Sequence, residues 1–339
     1  MTKRIIICSD GTWNRPDQRS PTNVAKLALA VAPTAPDGVS QIVGYDQGVG
    51  TGNLLDRVTG GAFGSGLDQN IADAYRFLVN NYDDGDHIFY CGFSRGAYTV
   101  RSTVGLIRKA GLLEKRHSMR FQEAYRLYRR RDVAVDAEEA KRFRAEFSRE
   151  VVIHFIGVWD TVGALGIPVR GLRFLTRRRY EFHDVELSRI VKNAYQALAI
   201  DERRGPFTPT LWESKQKEGQ LIEQAWFAGV HSDVGGGCEE SGLSDIAFAW
   251  MKGKAEACGL AFDRRYINGF VHPDEFGVLH DSMTGLYRLT RGITRQIGQE
   301  RYANQGVHVA AVNRHNSDAN YRPENLVDYL AHPGHRIVV

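Results

Sequence analysis

The sequence predicts an α/β protein: a mostly parallel central sheet with helices on both faces, plus helical or loop cap insertions. Three observations predict it. Between Ile5 and Gly111, short apolar runs alternate with amphipathic helical stretches, the rhythm of strands joined by crossover helices. The runs are continuously apolar, as in Ile5-Ile6-Ile7-Cys8, which suits strands buried on both faces. Each run also ends in small or polar residues, as at Asp10-Gly11-Thr12, where an open sheet carries its binding loops.

Residues 5–9 form the first expected strand. Asn23 can cap a helix through Ala32, which Pro33 ends. A second strand over 41–46 runs into Gly48-Val-Gly-Thr-Gly52, a substrate-side loop rather than a phosphate cradle, because no Lys-Ser/Thr follows. Residues 67–82 place Ile71, Ala74, Tyr75 and Leu78 on one helical side. A third strand covers 86–91 and a helix 95–111. Residues 119–147 are strongly charged and read as two exposed helices. A strand returns over 151–159, followed by an irregular arginine-bearing stretch, 163–180. Residues 185–199 read as helical, 224–230 as a strand and 243–258 as a closing helix. Beyond about 265 the pattern weakens, with Pro273, Pro323 and Pro333 in loops. The expected organisation is one domain over 1–339, with caps near 112–150 and 163–184 and the 265–339 segment packed on the core.

Composition narrows the function. The chain has 339 residues, 42% hydrophobic and 25% charged, which suits a globular core and excludes disordered or fibrous classes. Lys and Arg total 44 against 40 Asp and Glu, so no nucleic-acid partner is expected. The four cysteines, Cys8, Cys91, Cys238 and Cys258, are scattered and read as reduced thiols. The apolar run after Met1 is too short for a signal peptide, and a cytoplasmic protein is expected.

Gly92-Phe93-Ser94-Arg95-Gly96 matches the nucleophile elbow, G-x-S-x-G, at a strand-to-helix junction. A serine there sits on a strained turn, so the residues two positions either side must lack bulk. The base and acid should follow in the order Ser, Asp/Glu, His, at the carboxyl ends of later strands. Asp160 and His231 occupy such positions. Asp201 is the alternative acid, or else part of an ionic cluster with Arg203 or Arg204. Oxyanion donors are expected from Gly11 or Thr12, after the first strand, and from the Arg95 N–H. Asp10 and Asn14 are expected to hold that loop by turn chemistry. His154, mid-strand, reads as a buried, hydrogen-bonded residue. No cofactor is expected. Residues 165–180, with five arginines, suit a lid opening at a lipid surface or a solvated cap loop. Two other readings stay open: a membrane-surface binder with a vestigial elbow, and a metal-dependent hydrolase using His231, Asp233 and Asp160.

Taken together, Asp10-Gly-Thr-Trp-Asn14, Gly92-Phe-Ser-Arg-Gly-Ala97, Val158-Trp-Asp-Thr-Val162, Asp201-Glu-Arg-Arg204, Trp226-Phe-Ala-Gly-Val-His-Ser-Asp-Val-Gly-Gly-Gly237 and Tyr321-Arg-Pro resemble the α/β-hydrolase family that includes the type VI secretion phospholipase effectors of the type-one lipase effector kind. The motifs run in family order across nearly the whole chain. The resemblance implies an α/β-hydrolase core and a triad falling on Ser94, Asp160 and His231. It also implies a carboxylic ester substrate, small or lipid, attacked through an acyl-enzyme.

Overall fold

The computed structural model describes residues 2–11, 19–47, 60–163, 187–213 and 216–339. Thr12, Asn14, the Gly48–Gly52 loop, the 165–180 stretch and nearly all of the 163–184 cap lie outside them.

An eight-stranded sheet runs through the protein. Its strands are β1 (Arg4–Ser9), β2 (Gln41–Asp46), β3 (His87–Phe93), β6 (Ile153–Trp159), β7 (Val191–Ala199), β8 (Leu221–Phe227), β9 (Gln305–His308) and β10 (Ile337–Val338). A separate antiparallel pair, β4 (Leu112–Leu113) and β5 (Ser148–Arg149), closes the 112–150 excursion. The order is β10-β9-β8-β7-β6-β3-β1-β2, and every pairing in this sheet is parallel. Parallel strands require crossovers, and here helices supply most of them.

The apolar strands serve two cores because successive side chains point to opposite faces. In β1, Ile5 and Ile7 pack with α2 (Gly60–Asn81) and α3 (Arg95–Ala110) on one face. Ile6 and Cys8 pack with α1 (Asn23–Ala30) on the other, and with the long helix over Gly242–Ala257. Fully buried aliphatic side chains each contribute about 1.5–3 kcal/mol, so the two faces together carry the stability of the sheet. The charged excursion adds α4 (Phe121–Arg129) and α5 (Glu138–Phe147). These helices are less exposed than their charge suggested, since Phe121, Ala124, Leu127 and Ala140 join the first core.

Three expectations need correction. Residues 185–199 were expected to be helical, but Val191–Ala199 is the strand β7, inserted between β6 and β8. Its Ala, Leu and Gln residues are good helix formers, yet pairing on both edges and burial on both faces outweigh a propensity of a few tenths of a kcal/mol per residue. The helix α1 is capped by Thr22, whose Oγ accepts the Ala25 N–H. Asn23 instead ties the helix start to Val234 O and Ser244 O through its side-chain amide. Finally, the C-terminal segment extends the sheet by β9 and β10 and adds three further helices, Arg264–Phe270, Val309–Ser317 and Glu324–Ala331.

All four cysteines are free thiols. No helix among the described residues is long and apolar enough to cross a membrane.

Candidate active site

Parallel pairing brings the carboxyl ends of β1, β3, β6, β7 and β8 to one edge, so residues far apart in sequence meet there. Register places Ser9 beside Gly92, Phe93 beside Trp159, and Ala199 beside Phe227. The residue just beyond β3 is Ser94, with φ 57° and ψ −118°, and α3 starts immediately after it. Asp160, just beyond β6, also has positive φ, 39°. Such conformations cost on the order of 1–3 kcal/mol each for a non-glycine residue. Two of the three described non-glycine residues with positive φ therefore sit in one site.

The two elbow glycines are dictated by space. A Cβ on Gly92 would stand 2.8 Å from the Ala97 backbone, and one on Gly96 would stand 2.0 Å from Ser9 O. The Ser94 N–H donates to Trp159 O at 3.0 Å, locking the elbow to the neighbouring strand.

His231 opens the short helix α6 (His231–Gly235), four residues beyond β8. Its Nε2 lies 2.9 Å from Ser94 Oγ and its Nδ1 lies 2.5 Å from Asp160 Oδ2. All three residues are buried. Burial by itself would raise the Asp160 carboxyl. The Arg295 guanidinium and the His231 hydrogen bond outweigh it and hold the group well below the usual carboxylate range. Arg295 binds both oxygens, at 2.7 and 3.0 Å, and is itself held by Ala199 O and Phe207 O. The Ala199 N–H adds a further bond to Asp160 Oδ1.

The imidazole is enclosed by Phe93, centroid to centroid 4.6 Å, and by the edge of Phe207 at 4.9 Å. The loop that carries it is anchored by Asp233. That carboxylate accepts the backbone N–H groups of Val230 and His280, and pairs with His280 Nδ1 at 2.5 Å. The His231 N–H reaches Glu202, a buried carboxylate paired with Arg204 at 2.7 Å.

Ser94, His231 and Asp160 are thus brought together, while other sequence candidates fall elsewhere. Asp201 accepts the Gly229 N–H at 2.6 Å and the Tyr321 hydroxyl at 2.9 Å, and makes no bond to His231. The ionic cluster expected around it exists one residue later, in Glu202 and Arg204. The Gly11 N–H, expected as an oxyanion donor, is turned to Asp10 Oδ1 at 2.6 Å. Asp10 also accepts the hydroxyls of Thr22 and Tyr45, both at 2.5 Å, and so holds the loop. Arg95 is the first residue of α3, with its backbone at the positive end of the helix dipole. His154 is half-buried in β6 and accepts the Ile88 N–H at 3.3 Å. Burial lowers its imidazole to about 4.

The metal arrangement of His231, Asp160 and Asp233 does not form, because Asp233 faces His280 instead. Asp233, His280 and Cys238 do gather, with ligand atoms within 4.8 Å of one another. The Asp233 oxygens there are already engaged by the hydrogen bonds just described. Arg295, Glu202 and Phe207 were not singled out from sequence. Arg295 lies in a stretch without periodicity, where no local signal distinguishes it from a surface arginine.

Comparison with known proteins adds the following. A family model described as type VI secretion system (T6SS) phospholipase effector Tle1-like, catalytic domain, matches residues 3–254. The uncharacterized protein YEL023C of Saccharomyces cerevisiae is 32% identical over 232 residues, covering 60% of this chain and 32% of its own. An uncharacterized protein from Pseudomonas aeruginosa, known from a crystal structure, has TM-score 0.46 and 18% identity, over 81% of this chain and 49% of its own. A structure of the Tle1 effector bound to the VgrG spike of the type VI secretion system has TM-score 0.41 and 20% identity, over 71% of this chain and 52% of its own. The chain thus spans about half the length of these two structures and about a third of the yeast protein. With the family model covering most of its length, the chain belongs to the Tle1-like catalytic domain family of phospholipase effectors.

Proposed function

We propose that this protein is a serine hydrolase that cleaves carboxylic esters of lipids, phospholipids included, through an acyl-enzyme on Ser94. The observation that carries this reading is the continuous line from Asp160 through His231 to Ser94 Oγ, at 2.5 and 2.9 Å, ending on a serine in a strained elbow. Family membership supports the lipid ester as substrate class.

In this mechanism His231 Nδ1–H donates to the Asp160 carboxylate, which fixes the tautomer with its lone pair on Nε2. Ser94 Oγ attacks the ester carbonyl carbon while its proton passes to Nε2. The tetrahedral oxyanion forms over the start of α3, where the Arg95 N–H is the proposed donor. A donor of this kind is typically worth about 3–4 kcal/mol. The imidazolium then gives its proton to the leaving alcohol oxygen, and water releases the acid by the reverse sequence. Asp160 remains ionised throughout, as its pairing with Arg295 favours.

Labelling with a fluorophosphonate probe tests the reading. The wild type should label, and Ser94→Ala and His231→Ala should not. Released fatty acid from phosphatidylcholine or phosphatidylglycerol vesicles should follow the same pattern. A folded wild type that neither labels nor releases fatty acid would overturn the proposal.

A further inference from the structure

Two carboxylates face His231, and each is held by its own arginine. Asp160 bonds Nδ1 and is gripped at both oxygens by Arg295, whose side chain is 1% exposed. Glu202 accepts the His231 N–H and is gripped at both oxygens by Arg204, at 2.9 and 2.7 Å. Two ion pairs therefore meet His231 at different points, Asp160 with Arg295 at the ring and Glu202 with Arg204 at its backbone N–H. The other charged groups on neighbouring elements are turned elsewhere: Asp233 to His280, and Asp201 to Gly229 and Tyr321.

Arg295 is the more telling of the two arginines. It lies outside residues 3–254, the span the family model covers, and reaches the site from the C-terminal segment. Its backbone carbonyl is held by the Asn325 side-chain amide, which also binds Ile200 O. The guanidinium is thus fixed from behind as well as in front.

We propose that Arg295 is a positioning residue for this site: its fork sets the Asp160 carboxylate against His231 Nδ1 and, with Arg204 acting likewise on Glu202, cancels the negative charge facing the imidazole. This rests on the hydrolase reading above. An aspartate without such a partner would stabilise the imidazolium strongly and hold the base protonated to higher pH. With the charge cancelled, the carboxylate orients the ring toward Ser94 without leaving a net negative charge beside it. Fixed geometry and charge compensation come from the same two hydrogen bonds.

The experiment is the pH dependence of fluorophosphonate labelling rate, or of ester turnover, for wild type, Arg295→Gln, Arg295→Lys and Arg204→Gln. Losing one guanidinium leaves a net negative charge beside the ring. The acid limb of the Arg295→Gln profile should therefore move up by about one pH unit. Its rate should fall by a larger factor at pH 6 than at pH 8. Arg295→Lys keeps the charge but not the fork, so its limb should stay within a few tenths of a unit of wild type while the plateau rate drops. Arg204→Gln, which leaves the Asp160 clamp intact, should move the limb in the same direction by less.

An Arg295→Gln profile that is merely scaled down, with its limb unmoved, would overturn the proposal and leave Arg295 a structural ion pair. If that variant does not fold, the Lys and Arg204 variants decide: an unmoved limb in Arg204→Gln, or a displaced one in Arg295→Lys, overturns it. An unlabelled wild type is a different failure, that of the hydrolase reading itself.

Discussion

Gly96 faces the carbonyl oxygen of Ser9 so closely that a Cβ there would stand 2.0 Å from it and 2.5 Å from Asp10 O. Both contacts are backbone, so neither can swing aside. Gly96→Ala should therefore push α3 away from β1 and cost about 3 kcal/mol. Urea unfolding measures this. A loss under about 0.5 kcal/mol would mean that the elbow does not pack against β1 as described.

Asp160→Asn separates the two tasks of the acid. The amide cannot hold the productive tautomer, and turnover should fall about 10⁴-fold with the fold intact. It also leaves Arg295 buried without its carboxylate, a loss on the order of 3–5 kcal/mol. Steady-state kinetics together with thermal unfolding should show both effects. Asp201→Asn, by contrast, should stay within about tenfold of wild-type turnover, because Asp201 bonds Gly229 and Tyr321 rather than the base.

Asp201 also leaves a mark on stability. Burial, with hydrogen bonds from Gly229 and Tyr321 opposing it, raises its carboxyl from the ordinary 3.8 to about 6. A raised carboxyl binds its proton more tightly in the folded state, so its contribution is full below about pH 4 and declines as pH rises through about 6. Asn does not titrate. The stability difference between Asp201→Asn and wild type should therefore shift in the variant's favour between pH 4 and pH 7. Denaturation curves at fixed pH steps would reveal a flat difference if the group titrates normally.

His280 behaves with the opposite sign to an ordinary surface carboxylate. Burial alone would lower its imidazole, but the hydrogen bond and charge of Asp233, with Glu240 adding to them, raise it. A raised histidine lends stability below its ordinary value, and that contribution fades as pH rises through its folded value. His280→Asn should destabilise the protein more at pH 6 than at pH 9. Equal losses at both pH values would show that the imidazole anchors the His231 loop only as a neutral hydrogen-bonding group.

Much of the site was readable before any coordinates, for local reasons. The elbow announces itself because a strained serine between strand and helix needs glycine two positions away on either side. Asp160 and His231 could be proposed because strand ends in a parallel sheet share one edge, so chain order carries spatial meaning. Residues 185–199 misled because helix propensity is local whereas strand β7 exists only through its neighbours β6 and β8. Gly11 misled for a related reason: the direction of one N–H depends on where the Asp10 side chain folds back.

The amino-acid sequence by itself determined the alternating architecture, the elbow and its serine, and two candidate acids. Choosing which carboxylate meets the histidine required the tertiary structure, since Asp160 and Asp201 both end strands and differ only in what lies beside them. Arg295 belongs wholly to that second category. Its 135-residue separation from Asp160 leaves no trace in local pattern, and the pair forms only because the C-terminal segment folds back onto the edge of the sheet.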